Sequence, residues 1–567
     1  MKATLNWKPL EPITFPQERL LQQQLKRSGY PTLHPHLITH LAVRGFHQVK
    51  DVMAHLFPTK EQCHDPFLMK GMKETVEALE MAIISGEHIT VVGDYDVDGI
   101  SATAIAVQTL KKLGANVDYY IPHRKREGYG IKASVVENLK KRGTKIILTV
   151  DNGISAHEAI RLAKSYGMTV LLTDHHHPGE TLPEADVVIN PHQEGCPYPF
   201  KSICGGLIAF KLAQALFDYM GMSGEEDAFI EATALCTVAD VMPLVDENRY
   251  FVVEGLKRMK SKPSVPIQAL MKALGMDPKG LNETSIGFYM GPALNAPGRL
   301  DSAEESLKLL LSQTKLEALI FANVCGEWNK KRQVLAEAAK KEAETLLTDH
   351  PVQVLLMPSV DEGLAGILAG QLVEMTGKPA IVLTKGKTDT GKEVYKGSAR
   401  TFSGFSLYDA FAAVEKKHPH VFVNWGGHAE AAGLSLDPAH FDLFHAAIQE
   451  VYEATELGVS VNEYLATIFE QDMFTLCDHM ECLAPFGHGF PRPVFRVECV
   501  VGEVSIFGPK QNHLRFFSVN GSEFTLFRGA DANIQVGQKL AVYVTVGKSY
   551  FAGRDKYDIL VSDYEVL

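Results

Sequence analysis

Residues 88–99 read His-Ile-Thr-Val-Val-Gly-Asp-Tyr-Asp-Val-Asp-Gly, an apolar run followed at once by three aspartates. The β-branched residues predict a strand over 88–93, and apolar side chains on both of its faces are typical of a buried parallel strand. Turns at the ends of buried strands seldom need three acidic residues. The stretch therefore predicts a parallel α/β sheet whose edge carries Asp94, Asp96 and Asp98.

The alternation of apolar strands with helices continues beyond this stretch. Glycines at the ends of the helical segments act as stop signals, and strands that alternate with helices indicate parallel pairing. Ser101 is the expected N-cap of the first helix. The predicted strands are 88–93, 117–121, 145–150, 168–173 and 186–190, and the predicted helices are 102–113, 132–142 and 155–166. We therefore predict a doubly wound sheet, in which ligands bind beyond the carboxyl ends of the strands.

The 567 residues are too many for one hydrophobic core, so several domains are expected. A mostly helical region over 1–70 precedes the doubly wound domain, which is assigned to 71–300. Residues 301–350 are rich in Ala, Glu, Leu and Lys, and their periodicity predicts a long connecting helix or helix pair. A smaller α/β domain is expected over 351–490, followed by an OB-type β-barrel over 491–567. The strands predicted for the barrel are 494–506, 513–519, 523–529, 538–546 and 557–561.

Composition narrows the class of protein. An apolar content of 46% and a charged content of 22% describe a soluble protein, and no apolar run approaches the length of a membrane span. The first residues lack the apolar core of a signal peptide, and the eight cysteines include no C-x-x-C pair, so a reducing cytoplasm is expected. The net charge of −12 argues against a nucleic-acid coat over the whole surface, although a local basic groove suffices for phosphates. The sequence motifs of P-loop ATPases, zincins and α/β-hydrolases are absent.

Acidic and histidine residues follow three further apolar segments. Asp151 follows the strand at 145–150, Asp174-His-His-His177 follows the strand at 168–173, and Asp240 stands within an apolar stretch. Because the carboxyl ends of parallel strands share one edge, these loops are expected to meet there. A mixed set of carboxylates and imidazoles suits Mn²⁺ or Mg²⁺ better than structural zinc. We therefore predict a site for two divalent cations that act on a phosphate.

Groups that could hold the substrate phosphates lie in other loops. Arginine is suited to bidentate phosphate contacts. For the basic run at 123–126, an ordinary solvated loop is an equally good interpretation, whereas the two glycines before His428 favour a tight turn beside a ligand. The candidates are His123-Arg-Lys-Arg126, Arg299 in Asn295-Ala-Pro-Gly-Arg-Leu300, the pair Ser398 and Arg400, and His428.

Six motifs together resemble the DHH phosphoesterase superfamily with a DHHA1 second domain. The motifs are Asp94-Tyr-Asp-Val-Asp-Gly, Val150-Asp-Asn-Gly, Thr173-Asp-His-His, Val238-Ala-Asp, Asn295-Ala-Pro-Gly-Arg and Gly426-Gly-His-Ala-Glu-Ala-Ala-Gly. Their order and spacing, together with Leu483-Ala-Pro-Phe-Gly487, are similar to those of the RecJ family of single-strand-specific exonucleases. The resemblance covers residues from about 70 to 500.

This resemblance implies a role for each site residue. Asp94 would assist the first metal ion or its water, and His176 would stabilise the phosphate or the leaving group. Many members of the superfamily have a histidine where this chain has Val92, which implies that one ion has fewer protein ligands. The implied metal ligands are Asp96 and Asp151 for one ion and Asp98, Asp151, His175 and Asp240 for the other. The implied phosphate-binding residues are Arg124, Ser398, Arg400 and His428, with Arg299 as an addition.

The resemblance also implies an activity. Enzymes of this kind degrade single-stranded DNA from 5′ to 3′, release 5′-mononucleotides and act in DNA recombination and repair. The two α/β domains and the connecting helix would enclose a passage too narrow for duplex, and the OB barrel would support the strand by stacking and charge. A monomer that uses two Mn²⁺ or Mg²⁺ ions is expected, with a single-strand-binding protein, a helicase and recombination mediators as partners. DNA cannot be chosen over RNA from the residues alone, because an OB barrel serves either.

Two other functions fit the same motifs. One is a DHH phosphodiesterase acting on short oligonucleotides or cyclic dinucleotides, or a polyphosphatase, but such enzymes are typically smaller than 567 residues. The other is a non-catalytic Cdc45-like replication scaffold. Scaffolds of that kind tend to lose metal ligands, whereas all the implied ligands are present in this chain. We therefore expect catalysis.

Overall fold

The computed structural model describes residues 6–11, 15–30, 32–124, 126–128, 130–388, 391–402, 404–457, 461–551 and 554–567. Within these ranges, no helix is both long enough and apolar enough to cross a membrane. The amino-terminal region is mostly helical, as predicted, and it also contains one short strand. Its elements are β1 (Asn6–Pro9), α1 (Glu18–Arg27), α2 (Pro35–Val43) and α3 (Val49–Leu56).

A five-stranded parallel sheet with the order β3-β2-β4-β5-β6 follows, which confirms the predicted doubly wound sheet. Its elements are α4 (Met72–Ser85), β2 (Ile89–Val92), α5 (Val97–Lys112), β3 (Val117–Tyr120), α6 (Ala133–Lys141), β4 (Ile146–Val150), α7 (His157–Ser165), β5 (Thr169–Thr173) and β6 (Val187–Ile189). The strand order reverses between β2 and β4. The loops after these two strands therefore lie at the switch point, where such sheets bind ligands.

Helix α5 begins at Val97, five residues before the predicted start, and the expected N-cap at Ser101 is wrong. Asp96 is the N-cap instead, because its side chain accepts a hydrogen bond from the backbone N–H of Gly99 at 3.0 Å. A Cβ atom on Gly99 would lie 2.6 Å from the backbone nitrogen of Asp94. Glycine at this position therefore lets the helix begin directly against the acidic loop.

A layer of helices covers one face of the sheet and leads into the predicted connecting segment, which is a helix pair. The helices are α8 (Gly205–Tyr219), α9 (Ile230–Ala239), α10 (Asp246–Ser261), α11 (Val265–Ala273), α12 (Glu283–Ser285), a π-helical turn (Ile286–Met290), α13 (Gly291–Leu300), α14 (Glu304–Leu311) and α15 (Lys315–Leu346). Helix α5 packs against α8 and α9. Helix α15 has 32 residues and packs against α11 and α13 at one end and α16 at the other.

The second α/β unit contains a mixed five-stranded sheet with the order β10-β11-β9-β8-β7, in which only β7 and β8 are parallel. This sheet places Ser398 and Arg400 on β9 and His428 in the turn between β10 and β11. Its elements are β7 (Gln353–Leu356), α16 (Glu362–Thr376), β8 (Ala380–Lys387), β9 (Glu393–Arg400), α17 (Leu407–Lys417), β10 (Phe422–Gly427), β11 (Ala431–Leu436) and α18 (Phe441–Ala454).

The C-terminal unit is a mixed, mainly antiparallel sheet whose strand pairing closes on itself. Strands β14, β15, β16, β18 and β17 pair in that order, and β17 pairs back with β14, as in an OB-type barrel. The amino-terminal helices share its hydrophobic core, where Leu21 and Leu37 belong to the same cluster as Phe495 and Phe516. The elements are β12 (Val461–Tyr464), β13 (Ala466–Ile468), α19 (Glu470–Met480), β14 (Phe495–Phe507), β15 (His513–Ser518), β16 (Glu523–Leu526), β17 (Lys539–Phe551) and β18 (Arg554–Val566).

The C-terminal unit contacts the rest of the chain on two sides. On one side the guanidinium of Arg249, which is 1% exposed, donates hydrogen bonds to the carbonyl oxygens of residues 483–485 at 2.7–3.0 Å. On the other side, two exposed ion pairs connect the barrel to α15 and α16. These pairs are Lys510–Glu337 and Arg528–Glu374, each at 2.7 Å.

Candidate metal centre

Four acidic segments meet at the carboxyl edge of the parallel sheet. They follow β2, β4 and β5 and cap the C-terminus of α9. Three groups of side chains at this edge each bring their potential ligand atoms within 4.8 Å of one another. Two of them are Asp94, Asp96 and Asp151, and Asp98, His175 and Asp240, and the third, Asp151, His175 and His176, joins the other two. The edge therefore offers two adjacent sets of oxygen and nitrogen ligands, which is the arrangement that a two-metal site needs.

The imidazole of His175 faces three carboxylates at once. Its Nε2 atom lies 3.2 Å from Oδ1 of Asp151, 3.6 Å from Oδ2 of Asp98 and 3.7 Å from Oδ2 of Asp240. Burial lowers the pKa of His175, so the ring is neutral at physiological pH. A neutral imidazole has a lone pair available for a metal ion.

The N-terminus of helix α8 holds the carboxylate of Asp98 in place. Its two oxygens accept hydrogen bonds from the backbone N–H groups of Gly205 and Gly206, both at 2.7 Å, at the N-terminus of the helix. A Cβ atom on Gly205 would lie 2.5 Å from Cβ of Asp151, and one on Gly206 would lie 2.3 Å from Sγ of Cys236. The two glycines therefore allow the helix to approach the acidic cluster more closely than any other residue would.

The carboxylates of the cluster are held close together in a mostly buried site, which makes their ionised forms unfavourable. Burial raises the pKa of Asp94, with Asp96 adding to the effect, and it raises the pKa of Asp151, with Asp98 adding to the effect. Burial and Asp98 also raise the pKa of Asp240 to about 8. Oδ1 of Asp94 is buried and accepts no hydrogen bond from any residue in the described ranges. Divalent cations are the ligands that would compensate this charge, so the residues fit a metal centre.

His176 forms a separate pair with Asp174 beside the cluster. Its Nδ1 atom lies 2.7 Å from Oδ1 of Asp174, whose other oxygen accepts a hydrogen bond from the backbone N–H of Ile154 at 2.9 Å. Burial opposes protonation of His176, but the hydrogen bond and the charge of Asp174 raise its pKa to about 9. The side chain is 41% exposed. His176 is therefore a cation that a substrate phosphate can reach, and Asp174 positions it.

A fourth possible ligand group includes Asp98 and does not suit a metal ion. It combines Asp98 with the thiols of Cys204 and Cys236, whose Sγ atoms are 3.5 Å apart. Burial raises the pKa of both thiols, to about 11 for Cys236. Protonated thiols are poor metal ligands. The carboxylate of Asp98 already accepts two N–H groups, so this group is part of the packing.

Four arginines lie close to one another beside the acidic loop. Arg299 donates a hydrogen bond to the carbonyl oxygen of Gly363 at 3.4 Å, and Arg124 lies over the ring of Tyr95 at 4.9 Å. Burial lowers the pKa of Arg299 to about 10, and the charges of the other three arginines add to this shift. In the described part of the chain, no carboxylate lies within 4 Å of these guanidinium groups. The four are Arg124, Arg299, Arg332 and Arg400, and below they are called the arginine cluster.

The second α/β unit supplies one edge of this cluster. A Cβ atom on Gly366 of α16 would lie 3.0 Å from Nη2 of Arg400 and 3.4 Å from Oγ of Ser398, so both side chains point toward the same helix. His428 is exposed in the turn beside β9, and its backbone N–H bonds Ala431 at 2.8 Å. No contact places its ring against the other candidates within the described ranges. Lys125 of the predicted basic run lies outside the described residues.

Arg332 is a residue that the sequence did not single out. It lies in the middle of α15, where basic residues at helical spacing usually face solvent. Its Nε and Nη2 atoms donate hydrogen bonds to Oδ1 of Asn329, at 3.0 and 2.9 Å, and Asn329 is only 8% exposed. Burial lowers the pKa of Arg332. Only the packing of α15 across both units shows that this side chain belongs with Arg299.

Helix α13 runs along the acidic loop and connects the two sides of the site. The side-chain oxygen of Asn295 accepts a hydrogen bond from the backbone N–H of Val97 at 3.0 Å. A Cβ atom on Gly298 would lie 2.6 Å from the carbonyl oxygen of Tyr95. Arg299 follows directly and points to the arginine cluster. The helix thereby places this arginine at a fixed distance from the carboxylates.

Family models match three parts of the chain. Residues 88–239 match the DHH family N-terminal domain, residues 349–454 match the DHHA1 domain, and residues 469–563 match the RecJ OB domain. These matches agree with the fold class predicted from the sequence and found in the structure.

Whole proteins show the same similarity. The chain is 33% identical over 512 residues to the single-stranded-DNA-specific exonuclease RecJ of Salmonella typhimurium, covering 84% of this chain and 86% of that protein. It is 35% identical over 491 residues to RecJ of Bacillus subtilis, covering 85% of this chain but only 61% of that longer protein.

Solved structures agree. The structure of Thermus thermophilus RecJ in complex with Mn²⁺ matches with a TM-score of 0.84 at 27% identity, over 100% of this chain and 80% of that one. The same protein with Mg²⁺ matches with a TM-score of 0.78 at 25% identity, over 100% and 79% of the two chains.

Proposed function

Because the chain belongs to the RecJ family of single-stranded-DNA-specific exonucleases, we propose that it hydrolyses single-stranded DNA with the help of two divalent cations, Mn²⁺ or Mg²⁺. One observation carries the proposal. A cluster of carboxylates whose pKa values are raised by burial and by one another lies near a cluster of partly buried arginines. Metal ions would compensate the charge of the carboxylates, and strand phosphates would compensate the charge of the arginines. Both clusters would then act on the same phosphodiester bond.

We propose the roles of the acidic residues from the family resemblance. Asp96 and Asp151 would hold one ion, and Asp98, Asp151, His175 and Asp240 would hold the other. The closeness of these side chains supports the assignment. When bound, the ions would activate a water molecule and stabilise the charge that develops on the phosphate. Asp94, with its buried Oδ1 free of hydrogen bonds, would accept a proton from or orient the attacking water.

The cationic residues act on the phosphates. His176, held in its protonated form by Asp174, would donate a hydrogen bond to the phosphate oxygen or to the leaving oxygen. Arg124, Arg299, Ser398 and Arg400 would hold the phosphates near the 5′ end, and His428 is proposed for the same role on family resemblance. We infer 5′-to-3′ polarity and release of 5′-mononucleotides from the family.

We propose the cellular setting from the cysteines and from family membership. All eight cysteines are free, which fits a reducing cytoplasm. A monomeric enzyme that acts in recombination and repair, beside a single-strand-binding protein, a helicase and recombination mediators, is proposed from family membership alone. The complete ligand set disfavours the Cdc45-like scaffold, and the closed C-terminal sheet favours a polymer over the short substrates of smaller DHH phosphodiesterases.

The test is degradation of one single-stranded DNA oligomer, labelled at either its 5′ or its 3′ end, in Mn²⁺, Mg²⁺ or EDTA. We expect the 5′ label to appear at once as a mononucleotide, only with metal and not from a matched duplex. The variant Asp151→Ala should be inactive, and the exposed Asp51→Ala on α3 serves as its matched control. Intact long strands in the presence of metal would contradict the proposal, and dinucleotides and cyclic dinucleotides would then be tested.

A further inference from the structure

Two cysteine thiols lie against each other beside the metal centre. The Sγ atoms of Cys204 and Cys236 are 3.5 Å apart, and both residues are fully buried. Ligand atoms of both lie within 4.8 Å of a carboxylate oxygen of Asp98. The sulfur atoms of a disulfide bond are about 2.05 Å apart, so these two need to approach by only about 1.5 Å to form one.

Each of the two cysteines belongs to an element that positions a carboxylate of the metal centre. Cys204 is the N-cap of α8 and directly precedes Gly205, whose backbone N–H donates a hydrogen bond to Asp98. Cys236 lies on α9, about one helical turn before Asp240 at the C-cap of that helix. A bond between the two sulfur atoms would therefore connect the helix end that holds Asp98 to the helix that carries Asp240.

The packing around the two thiols transmits their movement to the carboxylates. A Cβ atom on Gly206 would lie 2.3 Å from Sγ of Cys236 and 3.1 Å from Oδ1 of Asp98, so the sulfur and the carboxylate both lie against the backbone of α8. A close-packed interior absorbs little displacement locally. Shortening the distance between the sulfur atoms would therefore move the first turn of α8 relative to Asp98.

The hydrogen bonds of the pair distinguish the two thiols. The thiol of Cys204 donates to Sγ of Cys236, and the thiol of Cys236 donates to the carbonyl oxygen of Thr233 at 3.1 Å. Cys236 is therefore the sulfur that receives a proton donor, which favours its reaction as the nucleophile. Burial raises the pKa of both thiols, so the reaction is slow and needs sustained exposure to an oxidant.

We propose that Cys204 and Cys236 are an oxidation site, at which hydrogen peroxide forms a reversible disulfide that weakens metal binding and lowers the nuclease activity. The effect on activity rests on the proposed function, whereas the disulfide and the effect on metal binding do not. Disulfides in cytosolic proteins are usually transient and often sense oxidants, and cellular thiols reduce them again.

The reaction has two steps and consumes one peroxide molecule. Sγ of Cys236 attacks one oxygen of the peroxide, the O–O bond breaks, and a sulfenic acid and one water molecule form. Sγ of Cys204 then attacks the sulfur of the sulfenic acid, the S–O bond breaks, and the disulfide and a second water molecule form. Two electrons pass from the sulfur atoms to the peroxide, and the two thiol protons end in the water molecules.

The experiment treats the full chain with hydrogen peroxide in EDTA, removes the peroxide with catalase, and then makes three measurements. Peptide mapping without reductant should show one cross-linked peptide that joins Cys204 to Cys236. The affinity for Mn²⁺ should fall by about ten-fold or more, because groups that orient metal ligands have effects of that size. Degradation of a single strand with Mg²⁺ should slow on the order of 10²-fold, and dithiothreitol should reverse all three changes.

Single substitutions test whether the pair is responsible. Cys204→Ala and Cys236→Ala should keep their affinity for Mn²⁺ and their activity after peroxide. Cys325→Ala is the matched control, because Cys325 is another fully buried cysteine and its Sγ lies 3.5 Å from Oγ of Ser306. This control should lose affinity and activity as the unsubstituted protein does. Melting curves show which variants are folded, and serine replaces alanine in any variant that is not.

Three outcomes would overturn the inference. They are the absence of the cross-linked peptide, a cross-linked protein whose Mn²⁺ affinity is unchanged, and equal losses in Cys204→Ala, Cys236→Ala and the unsubstituted protein. Failure of the untreated protein to degrade any strand would instead contradict the proposed function, and the peptide map and the Mn²⁺ affinity would still decide whether this oxidation site exists.

Discussion

The metal centre and the arginine cluster each hold groups of like charge close together, carboxylates in the first and guanidinium groups in the second. In the first, burial and the neighbouring carboxylates raise the pKa of Asp151, and in the second, burial and the neighbouring guanidinium groups lower the pKa of Arg299. The clusters offset each other only in part. The charge of Arg124 lowers the pKa of Asp94, and the charge of Asp96 raises the pKa of Arg299, yet the net shifts keep their direction. The ionised side chains of each cluster therefore repel one another in the ligand-free protein, and a ligand of opposite charge would stabilise them.

This comparison shows what separates a ligand site from structural charge in this chain. Lys211 and Glu247 are also fully buried, but they pair with each other at 2.7 Å. A buried ion pair of that kind is satisfied within the fold. In the two clusters, groups of like charge are instead held close together, which is the basis on which we propose them as sites for divalent cations and for phosphates.

The largest test removes the central carboxylate. Asp151→Asn should lower kcat on the order of 10³-fold, because the metal ions contribute several kcal/mol to the transition state. The same variant should raise the melting temperature of the metal-free protein, because it relieves repulsion from Asp98. Activity assays and melting curves in EDTA check both outcomes. A lower melting temperature in EDTA would show that the carboxylates are compensated within the fold.

The second test acts on the opposite cluster. Arg400→Met should lower kcat/KM by about 10- to 100-fold, because a hydrogen bond to a charged group contributes about 1.5–3 kcal/mol. Arg400→Lys keeps the charge but loses the bidentate geometry, so it should recover only part of the loss. Steady-state kinetics on a long single strand give the ratio. If Arg400→Met destabilised the protein strongly, Arg400 would have a structural role, which would contradict its assignment to a phosphate site.

A smaller effect is expected at Arg332. Arg332→Ala should raise KM by about two- to ten-fold and leave kcat nearly unchanged, because this side chain joins the cluster from the connecting helix and lies beyond the carboxylates. The neighbouring Lys331→Ala on the exposed face of α15 is the matched control. A change in kcat alone would place Arg332 at the reacting atoms instead.

The smallest effect concerns pH and the metal-free protein. Asp240 has a pKa of about 8 in the folded state, so between pH 6 and 8 the folded protein retains a proton that the unfolded chain has lost. The free energy of unfolding should therefore fall by about 2 kcal/mol as the pH rises through this window, and the melting temperature should fall with it. Asp240→Asn should reduce this slope, and Mn²⁺ should protect the protein more at pH 8 than at pH 6. An unchanged slope in Asp240→Asn would show that Asp240 does not titrate in this range.

The sequence predicted the metal centre better than the arginine cluster. Parallel strands end at one edge, so Asp94, Asp151 and Asp174 could be placed together from strand periodicity alone. The arginine cluster combines residues from two units and a connecting helix, and no local pattern fixes how those units pack. Arg332 was missed for that reason.

Local details were hidden for a different reason. Ser101 was a reasonable cap by residue type, but Asp96 caps the helix because the helix begins at the acidic loop itself. The role of Gly205 and Gly206 could not be predicted, because the sequence Cys-Gly-Gly does not indicate that their backbone N–H groups donate hydrogen bonds to Asp98. Close approach between distant segments depends on tertiary packing.

The two attachments of the C-terminal barrel differ in stiffness. Near residues 483–485, a buried arginine bonds three carbonyl groups, and breaking that contact would expose an unsatisfied charge. At α15 and α16, the exposed pairs Lys510–Glu337 and Arg528–Glu374 each contribute at most about 1 kcal/mol. The barrel is thus attached firmly at the buried arginine and weakly at the two exposed ion pairs. Ionic strength should weaken the ion pairs far more than the buried arginine contact.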